Sequence, residues 1–257
     1  MKALALNMSP RKGGNTRVAL DALAADLREA SIEVEVEELA AYRIEPCLGC
    51  RLCFDRGESA CPRHDDLPSL AAKIAECDLL VAGSPVYVED IAGSAKNAID
   101  RMAFICHRPA FFGKRAFVVT TSGVGSSAHA EMSLRKALML WGFQVGSGAM
   151  FAMDARSESE GFRLKYAKAL PRIGKRLRAL VRAPFSPSLL SMLVFGVQRI
   201  SYQRIPEDKR DTIDYAYWSG KGWLAPGVAY AVPAKVGIFK RLAARALASI
   251  TAAIVLK

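Results

Sequence analysis

The 257-residue sequence lacks the usual nucleotide-loop signatures. It has no GxGxxG turn and no GxxxxGK[ST] loop, so neither a dinucleotide-binding Rossmann turn nor a P-loop is indicated. No apolar run reaches the ~18 residues that a bilayer-spanning helix needs. Strand-like sequence starts at residue 3, with no basic-then-apolar leader before it, and a cytoplasmic protein is expected. Histidine is scarce, and His64, His107 and His129 read as surface or packing residues. No poised histidine or carboxylate pair suggests general acid–base catalysis. Internal repeats and low-complexity tracts are also missing. Acidic residues thin out along the chain. Residues 1–160 hold 18 Lys and Arg against 21 Asp and Glu, a net of −3, whereas residues 161–257 hold 18 against 4, a net of +14.

A hydrophobic share of 51% supports a sizeable core. Residues 3–7 form a short apolar run suited to a buried parallel strand. A helix pattern covers 18–30, and 32–39 alternates as IEVEVEEL, the period of a strand with one wet face near a sheet edge. Further strands are expected at 78–83, 115–120 and 143–150, with helices at 67–76, 93–102, 126–141 and 160–182. The last is basic, with Phe162, Tyr166, Leu170, Ile173, Leu177 and Val181 on its buried side. Such alternation implies right-handed βαβ units around a parallel sheet, with ligands outside the carboxyl ends of the strands. Residues 184–257 break the pattern with five prolines and concentrate aromatics at Tyr215, Tyr217, Trp218 and Trp223. The expected division is 1–183 as one α/β domain and 184–257 as a basic, irregular or helical extension. That extension suits packing on a second subunit, with Trp218 or Trp223 near a cofactor, or contact with an anionic membrane surface, more than nucleic acid.

Three loops carry the chemistry. Ser9-Pro10-Arg11-Lys12-Gly13-Gly14-Asn15-Thr16 runs from the first strand into the first helix. Backbone N–H groups and the helix dipole favour an anion there, Ser9, Asn15 and Thr16 add donors, and Arg11 adds a cation. A small loop of this type suits a terminal monophosphate. Pro85, Val86 and Tyr87 end a buried strand, where a flat aromatic could lie against a planar ligand. Cys47, Cys50, Cys53 and Cys61 follow a C-x2-C-x2-C-x7-C spacing. Three close thiolates with a fourth after a loop can wrap an iron–sulfur cubane. Zinc and plain reduced thiols remain alternatives. Cys77 and Cys106 stand alone beside apolar residues and read as core.

Taken together, Ser9-Pro-Arg…Gly14-Asn15-Thr16, Pro46-Cys-x-Gly-Cys-x-x-Cys…Cys61…Asp65-Asp66 and Gly83-Ser-Pro-Val-Tyr87…Lys96…Asp100-Arg101 resemble the NAD(P)H-dependent FMN reductase family, and more closely its iron–sulfur flavoprotein branch. The resemblance covers roughly residues 1–180. It implies a flavodoxin-like, doubly wound five-stranded parallel sheet and an FMN oxidoreductase. Ser9, Arg11, Asn15 and Thr16 match the family's phosphate loop. Pro85, Val86 and Tyr87 match the segment beside the isoalloxazine ring, and Thr121, Ser122 and Gly123 match the third flavin loop. Cys47, Cys50, Cys53 and Cys61 match the branch's 4Fe-4S ligands. NAD(P)H is the implied cosubstrate, with a small-molecule or protein acceptor and a homodimer or homotetramer as the assembly. A cluster-free FMN or quinone reductase and a non-enzymatic electron carrier or membrane-docked redox sensor are the alternatives.

Overall fold

The apolar run near the N-terminus forms the middle of a parallel sheet in the computed structural model, which describes residues 1–123, 125, 127–153, 166 and 169–256. Strand β1 (Lys2–Asn7) pairs with β2 (Glu33–Glu38) on one side and with β3 (Leu79–Tyr87) on the other, and β5 (Arg115–Ser122) follows β3. All these pairings are parallel. The strand order therefore reverses between β1 and β3, which makes their carboxyl ends a topological switch point.

Apolar side chains leave both faces of these central strands, as a doubly covered sheet requires. Leu4, Leu6, Leu80, Ala82 and Val118 face α3 (Leu67–Glu76), α4 (Gly93–Arg101) and α5 (Ala128–Leu140). Ala3, Ala5, Leu79, Val81, Phe117 and Val119 face α1 (Asn15–Glu29) and α6 (Leu170–Arg182). Leu170, Ile173, Leu177 and Val181 bury the expected side of the basic helix, while Phe162 lies outside the described residues. Edge strand β2 alternates exposed glutamates with half-buried valines, and Lys73 bridges Glu35 and Glu37.

Two departures from a plain five-stranded sheet have local causes. The expected strand over 143–150 is split. Strand β6 (Gln144–Val145) pairs with the start of β5, and β7 (Ala149–Ala152) pairs with its end. Between them, Arg135 donates to the Gly146 carbonyl, and Arg176 donates to the carbonyls of Ser147 and Gly148. These carbonyls are satisfied by guanidinium groups and not by the ladder. A side chain at Gly148 would meet the Val118 carbonyl oxygen at 2.8 Å. The second departure is β4 (Asp90–Ile91), which folds back antiparallel on Val86 and Tyr87.

The C-terminal part contributes α7 (Leu189–Gln203), α8 (Ile213–Gly220) and α9 (Ile238–Val255). Trp218 and Trp223 turn inward, against Phe195, Tyr202 and Phe112. Both indoles are buried within this chain. Trp218 is fully buried and its Nε1 donates to the His107 carbonyl at 2.7 Å, so the aromatics anchor this part to the chain's own 107–112 loop. Cys77 is buried in the sheet core and Cys106 is partly buried beside it. No helix among the described residues is long and apolar enough to cross a membrane.

Candidate active site

At the carboxyl end of β1 the chain must leave the sheet and enter α1 within a few residues. The Ser9 N–H donates to Asn7 Oδ1 at 3.2 Å, and the Arg11 N–H donates to Ser9 Oγ at 3.1 Å, which curls the loop back on itself. Gly14 occupies the N-cap and supplies no capping side chain, and the first turn of α1 carries no acid. The leading N–H groups of α1 are therefore left without a side-chain cap, and an anion can take their place. Gly83 allows this helix to approach. A side chain there would strike Leu20 Cδ1 at 2.8 Å and Thr16 Cγ2 at 3.0 Å. Thr16 in turn shares a 2.7 Å hydrogen bond with Thr121 at the end of β5, tying the first loop to the third.

A cleft of about 140 Å³ opens at this switch point. Ser9, Arg11, Asn15, Thr16, Pro85, Val86, Tyr87, Thr121, Ser122 and Gly123 all line it, joined by Gly14 and Met153. The ten residues singled out in the sequence thus fall on one wall-and-floor arrangement. Met153, just past β7, is an addition that its position after an apparently continuous strand conceals. Ser9 and Thr16 are buried, Arg11 is exposed, and Tyr87 is 43% exposed at the rim. Beyond Tyr87, Val88 and Glu89 both adopt positive φ, +49° and +68°. A β-branched residue rarely accepts that conformation. Ser84 Oγ accepts from the Ala92 N–H at 3.1 Å and holds the hairpin shut against this strain.

Helix α4 runs from the end of β1 to a second cavity. At its start, Ser94 Oγ donates to the Met8 carbonyl at 3.1 Å. Further along, Asn97 accepts from the Cys47 N–H at 3.2 Å and donates to the Ile44 carbonyl at 3.0 Å. At its end, Arg101 is buried and pairs with Asp65. Seven residues at 1.5 Å each separate Ser94 from Arg101, about 10 Å along the axis. Burial raises the Asp65 carboxyl, but hydrogen bonds from Arg101 and from the N–H groups of Glu45 and Leu67 outweigh it and hold the group below its ordinary value. Asp66 accepts from the Arg43 N–H at 2.7 Å, so the acidic pair clamps the loop ahead of α3.

Cys47, Cys50, Cys53 and Cys61 line this second cavity, of about 400 Å³, together with Arg51, Arg63 and Arg101. Gly49 at φ +63° and Arg51 at φ +65° turn the backbone into the short helix α2 (Leu52–Asp55), which carries Cys53. Arg101 Nη2 stands 3.7 Å from Cys61 Sγ, and Arg108 Nη2 donates to the Cys53 carbonyl at 2.8 Å. All four thiols are free. Burial, aided by the neighbouring Cys61 charge, pushes the Cys53 thiol up. Among the described residues no three His, Cys, Asp or Glu stand close enough together to hold a single metal ion. The thiols instead border a space wider than one ion bound at the ~2.3 Å of a zinc–sulfur bond. Asn97, Arg101 and Arg108 hold the cysteine loop. Asn97 and Arg108 are missing from the sequence reading, since their partners lie 50 and more residues away.

A parallel sheet of this order with an anion-ready first loop defines a flavodoxin-like α/β protein. Residues 1–158 match the family described as NADPH-dependent FMN reductase, and the chain belongs to that family. The chain is 34% identical over 156 residues to an iron-sulfur flavoprotein of Archaeoglobus fulgidus, covering 58% of this chain and 70% of that one. It is 38% identical over 105 residues to an iron-sulfur flavoprotein of Methanocaldococcus jannaschii, covering 39% of this chain and 51% of that one. The fold is also that of the crystal structure of RosB with a bound 8-demethyl-8-formylriboflavin-5'-phosphate intermediate, at a TM-score of 0.59 and 18% identity over 71% of this chain and 79% of that one. Membership makes the chain an NAD(P)H-dependent FMN oxidoreductase. The family match ends at residue 158, before the basic C-terminal part begins to pack.

Proposed function

We propose that the cleft at the switch point is the FMN site and that the cysteine cavity holds a 4Fe-4S cluster, so that electrons move between NAD(P)H or a protein donor and a small-molecule or protein acceptor. One observation carries the reading of the cleft. Three loops far apart in sequence meet around the uncapped N-terminus of α1. When bound, FMN supplies hydride and one-electron chemistry and a cluster supplies one-electron exchange.

The chain's own residues bind and orient. The first N–H groups of α1, with Ser9, Asn15 and Thr16, donate to a phosphate, and Arg11 neutralises it from the exposed side. Pro85, Val86 and Tyr87 form an apolar ledge for a flat ring, and the strained hairpin behind them keeps Tyr87 at the rim. Thr121, locked to Thr16, joins Ser122 and Gly123 as the opposite wall. In the cysteine cavity Arg101, paired with Asp65, and Arg63, paired with Glu45, would stand beside a cluster held by the four thiolates. Helix α4 is fixed at its start to the Met8 carbonyl beside the first loop and lines the cysteine cavity at its end with Asp100 and Arg101.

The flavin released by denaturing protein purified without oxygen is expected to be FMN, identified by its mass. FAD as the only flavin released would overturn the assignment of the first loop to a single phosphate.

A further inference from the structure

Helix α9 buries only a narrow strip. Ala244, Ala248 and Ala252 lie four apart and face α7, where a side chain at Gly196 would come within 2.7 Å of the Ala248 Cβ. At about 100° per residue, the arc opposite that strip holds Phe239, Leu242, Leu247, Ile250 and Ile254 with alanines between them, and no charged or polar side chain. Phe239 is 86% exposed, Ile254 67% and Ile250 58%. The arc spans about 140° and runs about 22 Å along the helix. A soluble surface does not ordinarily leave such a patch in water.

The surroundings of the arc are basic. Lys240 borders it on one side, and Arg245 and Arg241 lie beyond its other edge, toward the alanine strip and α7. With Arg199 of α7, Arg241 and Arg245 line a cavity of about 600 Å³ between the two helices. No acidic residue lines this cavity, and none occurs after Asp214 in the sequence. Burial and the neighbouring Arg245 charge push the Arg199 guanidinium below its ordinary value. Arg199 donates to the carbonyls of Trp223 and Ala225, while Arg241 and Arg245 are exposed near it with no carboxylate in the cavity, a setting that favours anions outside the chain.

We propose that α9 lies in the interface of an anionic lipid bilayer, with its outer apolar face among the acyl chains and Lys240, Arg241 and Arg245 drawing it to the anionic surface. The helix has the combination this requires, a continuous apolar face with cations beside it, and its three charges keep it from crossing. A second copy of the chain fits less well. Helix α9 carries three cations and no acid, so two copies paired through this face would gain no ion pair at its rim and would add like charge. The proposal stands independently of the flavin reading.

The test uses the full chain with vesicles of phosphatidylcholine alone or with roughly one-third phosphatidylglycerol, the bound fraction being read by sedimentation. Binding to the anionic vesicles is expected, and it weakens with salt. Arg241→Gln with Arg245→Gln should lower affinity by about 10- to 30-fold. Phe239→Ser with Ile250→Ser should abolish binding while melting temperature and flavin content stay unchanged. Protein that remains in the supernatant with both vesicle types overturns the proposal. So does a lipid-free dimer that Phe239→Ser with Ile250→Ser dissociates, since that outcome assigns the face to a second copy.

Discussion

Asp214 ties the C-terminal part to the cysteine loop. Its carboxylate pairs with Arg108 and lies 2.9 Å from His107 Nδ1, while Arg108 also reaches Glu58 and the Cys53 carbonyl. Burial raises this carboxyl, but the bonds from His107 and Arg108 outweigh it and hold it below its ordinary value. A carboxyl lowered in the folded state stabilises fully above its unfolded value, about 3.9, and that contribution is lost as pH falls through the folded value. Fluorescence of Trp218, which bonds to His107, is expected to stay constant from about pH 7 to 5 and to shift red below about pH 4. Asp214→Asn leaves the buried Arg108 without its main partner and should lower stability at neutral pH by about 3 kcal/mol, measured by urea unfolding. A variant as stable as the parent would remove Asp214 from this role. At Val88 the sign reverses. Left-handed backbone on an L-residue costs about 1–2 kcal/mol, so Val88→Gly should raise the melting temperature. Neither residue was legible in the sequence. Asp214 and Arg108 are 106 positions apart, and a valine gives no hint of positive φ.

Elements were read more faithfully than single contacts. The strands at 2–7, 79–87 and 115–122 and the helices between them follow from apolar runs, because strands covered on both faces need side chains that bury either way. The cleft loops were visible for a related reason. Their glycine and hydroxyl residues sit where a strand must turn sharply into a helix. The split of the last strand was hidden, since Gly146-Ser147-Gly148 interrupts it without changing its apolar flanks, and the guanidinium groups that satisfy its carbonyls come from α5 and α6. The inward turn of Trp218 was hidden too, because an aromatic-rich stretch fits an interface as well as a core. The cysteine loop is the element whose role is most open to direct chemistry. After anaerobic reconstitution with iron and sulfide, about four irons per chain are expected, and Cys50→Ala should lose them while retaining FMN. Protein with all thiols reduced that takes up no iron yet oxidises NADPH would leave a cluster-free reductase.

Across the whole molecule the acidic residues fall mostly before residue 160 and the basic ones dominate after it. Residues 1–160 are nearly neutral, and the basic character begins with α6, which packs on the sheet, and continues through α7 to α9, which pack around the aromatic cluster of Phe195, Trp218 and Trp223. Residues 1–183 and 184–257 are accordingly proposed as separate units, one for redox chemistry and one for docking. The proposed role of the first unit depends on the loop entering α1, for which phosphate is the proposed ligand. Apoprotein titrated with FMN and with riboflavin, followed by quenching of flavin fluorescence, measures that dependence directly. Each charge-assisted hydrogen bond to phosphate contributes about 1.5–3 kcal/mol, so FMN should bind at least about 100-fold more tightly than riboflavin. Arg11→Ala with Thr16→Ala should weaken FMN by about 30-fold and leave riboflavin almost unchanged. Riboflavin binding as tightly as FMN to the unaltered protein would contradict the assignment of the cleft.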